Sequence, residues 1–512
     1  MEKEKRKPSG NSILRAVFVG VSLLIQIGWL LLLVIKLNEY YAWISLVTGI
    51  LALVIVLRLY SKPANAAMKM PWIMLILAFP VMGLCLYLLF EMLGDPGVGK
   101  RLSKVKAEME NLLPENANTV IMELEENNRQ DANQFRYLWK QGGWPVYANT
   151  KVDYFPEAAN AFFALKEELE KAETFIFMEY FIVEDASSFQ EIREILIRKA
   201  KQGVEVRLMY DDIGSVGYVN WLFAKKLNDE GIRCQVFNPA LPVMNLFMNH
   251  RDHRKITVID GKIGFTGGYN LADEYFDRVR PYGKWKDTGI RLEGEAVSSL
   301  TAQFLQLWAL QSRKAEDYGK YLQTVHSVPS VGYVQPFSDN PLQEERAAEN
   351  VYLNLIARAE KSLYFITPYL IITDELSRAL GLAAKRGVDV RIITPGIPDK
   401  KTVYAVTHSY YAGLVSQGVR IFEYTPGFCH AKQCICDGKL VSIGTSNLDY
   451  RSLYHHFENN VLLCGCDAVR EIATDFEKTF TQCEEVTEKY RTGRRAFLRI
   501  WQCILRLFAP LM

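Results

Sequence analysis

The sequence predicts a tandem duplicated α/β fold, with mixed sheets flanked by helices, that follows N-terminal transmembrane helices. Three observations support this fold class. Two stretches of the polar part of the chain repeat each other in order and spacing. Within each stretch, short β-branched runs alternate with amphipathic helical segments, which is typical of stacked β-α units around a largely buried sheet. The first hundred residues, by contrast, are dominated by long apolar runs.

Residues 1–93 form the predicted membrane region. Its apolar runs cover residues 13–35, 41–59 and 71–93, and each is close to the ~20 residues that a transmembrane helix needs. Three such runs in succession are atypical of buried core helices, so a multi-pass protein of the cell membrane with two to three crossings is expected. The positive charges beside the runs predict conflicting orientations. The cysteine content favours a catalytic region that faces the cytoplasm.

A polar, helical connector over residues 94–143 leads to the duplicated part of the chain. This part is predicted to divide into a first half at residues 144–325 and a second half at residues 326–490. The clearest repeat matches residues 200–207 with residues 384–391, an offset of 184. Each half is therefore expected to form one α/β unit of the same topology.

The composition of the chain bears on its partners and its compartment. Its 60 Lys and Arg against 58 Asp and Glu leave a formal net charge of +2, whereas a nucleic-acid-binding protein usually carries a clear basic excess. Nucleic acid is therefore not an expected partner. The nine cysteines are odd in number, which favours free thiols. Two closely spaced cysteine pairs also fit a four-thiolate zinc site, but Cys-x-Cys within apolar runs is typical of strand alternation.

One motif occurs in both halves and is predicted to carry the chemistry. It reads His-x-Lys-x4-Asp-Gly-x5-Gly-x-x-Asn, and its two copies lie 177 residues apart. A histidine and a lysine two positions apart on a strand share one face, so a nucleophile or acid lies beside a positive clamp for a phosphoryl group. The residues predicted as catalytic are His253, Lys255, Asp260, His430, Lys432 and Asp437, and those predicted as amide donors to a phosphoryl oxygen are Asn270 and Asn447.

The aspartates of the motif have a second interpretation. Asp260-Gly261 and Asp437-Gly438 each lie between two apolar runs, and Asp-Gly in that position is a strong hairpin signal. The hairpin then turns the chain back and delivers the asparagine. Asp260 and Asp437 are therefore expected to be more architectural than chemical.

Two other interpretations of the histidines compete with catalysis. A single histidine on a strand is more often structural, but two complete copies of the motif inside a duplicated fold make coincidence negligible. A metal centre is disfavoured, because lysine is a poor metal ligand and no Asp, Glu or His cluster with coordination spacing surrounds either histidine in the sequence. No metal ion and no cofactor are expected.

The two motif copies resemble the paired catalytic motifs of the phospholipase D superfamily, over a region from about residue 143 to residue 490. The resemblance implies that both copies meet at a pseudo-twofold axis and build one active site. It also implies an acidic residue some thirty positions after each histidine, which bonds the distal ring nitrogen of that histidine and fixes its tautomer. Asp287 and Glu458 occupy these positions, 34 and 28 residues on.

Within the superfamily, the chain is similar to bacterial cardiolipin synthases, notably at residues 71–87, 210–216 and 249–255. It departs from them in its additional first apolar run and in Gly268, where serine is common. The resemblance implies a cardiolipin synthase that joins two phosphatidylglycerol molecules through a phosphohistidine, with release of glycerol. A phospholipase D or a transphosphatidylase with another donor or acceptor is the alternative, because pocket shape selects the acceptor. A nuclease and a non-enzymatic scaffold fit the membrane segments, the charge and the intact motifs less well.

Residues 491–512 are predicted to form a basic amphipathic helix. Apolar side chains alternate there with arginines at helical spacing, which is typical of a helix that lies on anionic membrane lipid. The same pattern is compatible with a helix that docks on the protein core.

Overall fold

The computed structural model describes residues 20–21, 24–29, 32, 41–62, 64–89, 96–114, 117–239, 249–312, 316–322, 326–491, 505–506 and 509. Most of the first predicted apolar run and most of the predicted C-terminal helix therefore lie outside the described residues. At the described positions of that C-terminal segment, Leu505 and Ala509 are buried, and the guanidinium of Arg506 lies 4.0 Å from the ring centroid of Tyr410. These contacts favour the alternative in which the segment docks on the protein.

The N-terminal region contains helices α1 (Tyr41–Ser61), α2 (Ala66–Ala78) and α3 (Pro80–Tyr87). The apolar run at residues 71–93 is not one continuous helix, because Pro80 has no amide hydrogen for an intrahelical bond and begins a new helix. In the described parts of the chain, no helix has both the length and the apolar character needed to span a bilayer. The prediction of N-terminal transmembrane helices is therefore not supported.

The segment predicted as a helical connector contains α4 (Pro96–Glu110), α5 (Ala117–Asn127) and α6 (Arg129–Gly142). Asn128 caps α6, where its side chain accepts from the amides of the next turn. Gly143 ends the helix with a φ of 73°, a left-handed conformation that favours glycine. The chain then enters the first sheet.

The first half forms a mixed sheet with the strand order β1-β9-β7-β6-β2-β3-β4. Its elements are β1 (Thr150–Phe155), α7 (Ala158–Lys171), β2 (Phe175–Tyr180), α8 (Ser187–Lys201), β3 (Glu205–Asp211), α9 (Asp212–Ser215), α10 (Phe223–Asp229), β4 (Arg233–Phe237), β5 (Arg251–Asp252), β6 (Lys255–Ile259), β7 (Ile263–Gly267), β8 (Lys284–Lys286), β9 (Gly289–Gly294), α11 (Val297–Ser312) and α12 (Gly319–Leu322). Strands β2, β3 and β4 are parallel to one another.

The second half forms a mixed sheet with the order β10-β19-β17-β16-β11-β13-β14-β20. Its elements are β10 (Tyr333–Asp339), α13 (Ala347–Arg358), β11 (Ser362–Ile366), β12 (Leu370–Ile371), α14 (Asp374–Lys385), β13 (Asp389–Pro395), α15 (Lys401–Val415), β14 (Arg420–Tyr424), β15 (Gly427–Cys429), β16 (Gln433–Cys436), β17 (Leu440–Gly444), β18 (Leu448–Asp449), α16 (Tyr450–Tyr454), β19 (His456–Cys464), α17 (Asp467–Phe480), β20 (Cys483–Glu485) and α18 (Thr487–Arg491). Strands β11, β13 and β14 are parallel.

The two sheets have equivalent strand orders, apart from β20 at the outer edge of the second. The predicted mixed α/β architecture with two sheets and flanking helices is therefore confirmed. Helix α11 is buried along almost its whole length, because it packs against strands of the first sheet and against β10 of the second. The cysteines of the described residues are free, and Cys434 and Cys436 lie on β16 as strand alternation predicts.

Candidate active site

Each motif histidine follows a strand segment that pairs with the other half of the chain. Strand β5 pairs in parallel with the start of β19, and the amide of His253 donates to the carbonyl oxygen of Phe457 at 2.9 Å. Strand β15 pairs in parallel with β8, and the amide of His430 donates to the carbonyl oxygen of Lys286 at 2.7 Å. These pairings bring both copies of the motif to one place between the sheets.

The carboxylates that orient the histidines are exchanged between the halves. Nδ1 of His253 lies 2.9 and 3.0 Å from the carboxylate oxygens of Glu458, and Nδ1 of His430 lies 2.7 Å from Oδ2 of Asp287. The expected pairing of each histidine with the acidic residue of its own half is therefore wrong. The reason is the strand pairing, because Glu458 and Asp287 directly follow the residues whose carbonyls accept from the histidine amides.

The exchanged carboxylates fix the tautomer of both rings. An Nδ1–H that donates to a carboxylate leaves Nε2 with its lone pair. Both histidines and both carboxylates are buried, so these hydrogen bonds are shielded from competing water. Each ring is thus held in the orientation that a nucleophile or a general base requires.

The two lysines of the motif lie against the histidines. Nζ of Lys255 donates to the carbonyl oxygen of His253, and Nζ of Lys432 donates to that of His430. Nζ of Lys432 also lies 2.8 Å from Nδ1 of His430. Both lysines are buried, so their charge acts in a poorly solvated site.

Burial and the neighbouring charges determine the protonation of these groups. Burial, together with the charges of Lys255 and Lys432, lowers the pKa of His253 well below its usual value. Burial and Lys432 lower the pKa of His430 to about 4. Burial also lowers the pKa of Lys255 to about 7 and that of Lys432 to about 8. The imidazoles are therefore neutral near pH 7, and a bound anionic phosphodiester would raise all four pKa values.

The two histidines have different aromatic surroundings, which sequence reasoning missed. His253 contacts Phe181 and His456, with ring centroids 5.0 and 5.4 Å apart. His430 contacts Tyr275, Trp285 and Phe428, at 5.2, 5.5 and 5.9 Å. The sequence did hold one signal, because His456 and Trp285 each precede an orienting carboxylate by two residues and alternation puts them on its face of the strand.

His456 completes the polar side of the site. Its Nε2 accepts from Nε of Arg451 at 3.3 Å, and its Nδ1 lies 3.8 Å from Oε1 of Glu458. Burial lowers its pKa to about 3, so the ring is neutral. Ligand atoms of His253, His456 and Glu458 lie within 4.8 Å of one another, close enough to hold a metal ion. The charge of Lys255, which interacts with Glu458, opposes a further cation there.

The predicted phosphate ligands lie at the ends of the motif hairpins. Oδ1 of Asn270 accepts from the amide of Ile182 at 3.1 Å, and its side chain lies close to Tyr275, which packs on His430. Asn447 is buried, and its Oδ1 has no hydrogen-bond partner among the described residues. Asn270 is thus adjacent to the aromatic residues that line both histidines.

Asp260 and Asp437 lie at the opposite end of β6 and β16 from the histidines. Asp260 and Gly261 have φ values of 54° and 67°, and Asp437 and Gly438 have 52° and 64°, which is the sign pattern of a type I′ hairpin turn. The carboxylate of Asp260 accepts from the amides of residues 173–175, and that of Asp437 from the amides of residues 360–362. These contacts support the architectural interpretation of Asp260 and Asp437, and a catalytic role for either residue stays a prediction.

Gly268 is required by the position of Asp287. A Cβ atom at Gly268 would lie 2.1 Å from Oδ1 of Asp287. At the equivalent position of the second half, Thr445 has a side chain, and its hydroxyl donates to Glu458. The two orienting carboxylates are therefore held differently, one against a glycine and one by a hydroxyl.

The site as a whole fits phosphoryl-group transfer. Two neutral imidazoles are chemically able to act as a nucleophile and as an acid or base, and two buried ammonium groups are able to provide positive charge for non-bridging oxygens. Fold and site together fit an enzyme of phosphodiester chemistry whose two-histidine centre is formed by both halves of a duplicated chain.

Comparisons with known proteins agree with this class. Residues 165–308 and 352–480 match the family model described as cardiolipin synthase, PLD-like domain, and residues 49–91 match the model described as phospholipase D-nuclease N-terminal. The chain is 35% identical over 463 residues to cardiolipin synthase 2 of Bacillus cereus, which covers 89% of this chain and 88% of that protein. It is 34% identical over 457 residues to the cardiolipin synthase of Geobacillus sp. (strain WCH70), covering 88% and 89%.

Among solved structures, the phosphatidylserine synthase of Haemophilus influenzae Rd KW20 has the same fold, with a TM-score of 0.55 and 14% identity over 74% of this chain and 98% of that chain. The chain belongs to the cardiolipin synthase family, within the phospholipase D superfamily. The predictions of a cardiolipin synthase and of a phosphatidyltransferase are thereby confirmed.

Proposed function

We propose that this cardiolipin synthase transfers a phosphatidyl group from one phosphatidylglycerol to a second, through a phosphohistidine. The observation that carries the proposal is the pair of neutral, buried imidazoles, each oriented through Nδ1 by a carboxylate of the other half. A reaction in two steps needs one group that attacks phosphorus and one that exchanges a proton with the two alcohols.

In the first step, Nε2 of His253 attacks the phosphorus of the donor lipid. A nitrogen–phosphorus bond forms, the bond from phosphorus to the glycerol oxygen breaks, and His430 gives its proton to the departing glycerol. His430 is protonated for this step because the bound phosphodiester raises its pKa. Glu458 supports His253 as the nucleophile, since both carboxylate oxygens contact Nδ1 and Thr445 anchors the carboxylate.

In the second step, a terminal hydroxyl of the acceptor phosphatidylglycerol attacks the same phosphorus. His430 takes the hydroxyl proton, the nitrogen–phosphorus bond breaks, and cardiolipin leaves. Lys255, Lys432, Asn270 and Asn447 are proposed to stabilise charge on the non-bridging oxygens, a role that a metal ion has in other phosphoryl-transfer enzymes.

The enzyme is proposed to work at the cell membrane, with its catalytic region on the cytoplasmic side. Helix α1 supports the location, because its apolar side chains Trp43, Val47 and Leu53 are exposed and such a surface is unfavourable in water. The free thiols of the described cysteines support the cytoplasmic side, because thiols stay reduced in that compartment.

The decisive experiment uses the purified full chain and vesicles of phosphatidylglycerol. Cardiolipin and free glycerol should appear in equal amounts and should exceed phosphatidic acid. His253→Ala and His430→Ala should each lower turnover by several orders of magnitude without unfolding the protein, because nucleophile and acid act as a unit. Phosphatidic acid as the main product would replace the synthase proposal with a phospholipase D, and near-normal turnover of either variant would exclude the two-histidine mechanism.

A further inference from the structure

Six large apolar or aromatic side chains are exposed beyond the strand ends that carry the active site. We call them the apolar rim: Ile213, Tyr218, Trp221, Leu222, Val279 and Ile397. Four of them follow the C-terminal end of β3, and Ile397 follows that of β13. Strands β3 and β13 are parallel to β2 and β11. The loops that follow β3 therefore lie at the same sheet edge as Phe181, which follows β2 and contacts His253, and the loop that follows β13 lies at the equivalent edge of the second sheet.

The rim segment of the first half rests directly on the wall of the site. A Cβ atom at Gly214 would lie 2.3 Å from the carbonyl oxygen of Phe181, and Oγ of Ser215 donates to that oxygen at 3.2 Å. The ring of Phe181 in turn contacts His253 at 5.0 Å. One residue therefore separates the rim segment from the proposed nucleophile.

Of the remaining rim residues, Ile397 contacts the wall beside His430, and Val279 lies three residues before Tyr282 of that wall. The amide of Ile397 donates to the carbonyl oxygen of Gly427 at 3.3 Å, and its Cδ1 packs against Gly283. Tyr282, which shares a loop with Val279, contacts Phe428 at 6.2 Å, and Phe428 contacts His430 at 5.9 Å. The rim thus borders the buried site from both halves of the chain.

The exposed side chains of the apolar rim indicate a binding partner that is itself apolar. Trp221 is 68% exposed and its chain neighbour Leu222 is 44% exposed, and exposed large apolar side chains next to one another are typical of an interaction site. The floor beneath it is polar and positively charged, which suits a phosphate whose apolar substituents extend upward past the rim. A membrane lipid fits this arrangement, because its phosphate can reach the charged floor while its acyl chains remain beside the apolar rim.

A second apolar surface lies at the same edge. Nδ2 of Asn65, between α1 and α2, donates to Oε2 of Glu375 at 2.9 Å, and Glu375 lies in the first turn of α14, past the C-terminal end of β11. The exposed apolar face of α1 is therefore attached at the active-site end of the second sheet. Exposed Lys225, Lys400 and Lys401 adjoin the rim in the chain, which suits an anionic lipid surface.

We propose that the apolar rim docks on the surface of an anionic lipid bilayer and admits the substrate phosphate to the histidines directly from the lipid. This inference rests on the proposed function, because it assumes that the reacting phosphate belongs to a membrane lipid. The occupant is a lipid surface, and a second copy of the chain is the competing occupant.

Rate measurements on two forms of one lipid test the proposal. The full-length Trp221→Ser/Leu222→Ser variant is compared with wild type on reconstituted phosphatidylglycerol vesicles and on short-chain phosphatidylglycerol below its micellar concentration. The variant should be at least about tenfold slower on vesicles, because two apolar side chains no longer enter the lipid. Its rate on the monomeric lipid should stay within twofold of wild type.

The matched control is Val331→Ser/Leu382→Ser, which removes two exposed apolar side chains outside the rim. This control should keep its vesicle rate. An unchanged vesicle rate for the rim variant, or an equal loss on monomeric and vesicle lipid, would overturn the proposal. A change in particle mass in detergent, with an unchanged vesicle rate, would assign the rim to a second copy instead.

Fluorescence separates this proposal from the proposed function. Wild type and Trp221→Phe are mixed with phosphatidylglycerol vesicles that contain a brominated phosphatidylcholine, which quenches tryptophans in contact with acyl chains. The wild-type signal should include a quenched component that Trp221→Phe lacks, whatever product the enzyme makes. Identical quenching of both proteins would overturn the docking of the rim, whereas phosphatidic acid as the main product would overturn only the synthase reaction.

Discussion

Replacing Asp287 by asparagine is expected to disable His430, although Asp287 lies in the half that contains His253. The bond to be lost is the 2.7 Å contact between Nδ1 of His430 and Oδ2 of Asp287. A hydrogen bond to a charged group contributes ~1.5–3 kcal/mol, which corresponds to a rate loss of about 10- to 150-fold. An amide also permits the wrong tautomer of His430, which can bring the total loss to about 10⁴-fold.

The assay uses a phosphatidyl donor with a p-nitrophenol leaving group, which departs without a proton from His430. Asp287→Asn should release a burst of nitrophenol equal to the enzyme present and then stall, because His430 no longer activates the acceptor alcohol. Glu458→Gln should show no burst, since it disturbs His253 itself. Mass spectrometry under alkaline conditions should locate the trapped phosphatidyl group on His253.

The opposite pattern would refute the exchanged pairing. If Glu458→Gln keeps the burst, Asp287→Asn loses it and the group is still on His253, each carboxylate serves the histidine of its own half. A group trapped on His430 would instead reverse the proposed roles of the two histidines. Asp153→Asn is the matched control, because the carboxylate of Asp153 pairs with Lys151 on β1 and with Arg291 on β9, away from the histidines. The burst and the turnover of this variant should stay near those of wild type.

The remaining predictions concern pH, the hairpins, the glycine and metal ions. In a pH profile, kcat/KM should fall on the acid side only at a pH well below the usual pKa of histidine, where His253 gains a proton and loses the lone pair that attacks phosphorus. It should fall on the alkaline side from about pH 7 upward, where Lys255 loses its charge, and kcat should fall at higher pH because bound phosphate raises that pKa. Asp260→Asn should lower Tm yet keep most of the activity, since asparagine suits the turn; a fully folded but inactive variant would reveal a chemical role. Gly268→Ala should reduce turnover at least about tenfold by displacing Asp287, and unchanged turnover would contradict the close approach. EDTA should leave the vesicle activity unchanged, and activity lost to EDTA and restored by Mg²⁺ or Zn²⁺ would disprove metal independence.

Most of the local chemistry was readable from the sequence because it depends on short-range periodicity. The two-residue spacing places His253 and Lys255 together at the start of β6, and an Asp-Gly pair between apolar runs defines a hairpin. The duplication was readable because the order of matching segments is preserved. The equivalent strand orders of the two sheets agree with it.

Pro80 interrupts the apolar run at residues 71–93 in the sequence, and in the structure one helix ends before this proline and another begins at it. Part of the surroundings of the histidines was not readable from the sequence, because Phe181 reaches the site from a loop and Tyr275 from a short 3₁₀ helix. The positions of both depend on the packing of the first sheet.

The sequence by itself determined that two His-Lys motifs exist, that they occupy equivalent strands, and that acidic residues follow each histidine. Only the tertiary structure decided which acidic residue serves which histidine. Strand β5 pairs with β19 and β15 pairs with β8 across the two halves, so Glu458 reaches His253 and Asp287 reaches His430. Sequence spacing cannot reveal this exchange, because backbone hydrogen bonds between distant strands are set by how the two sheets pack, and not by the distance along the chain.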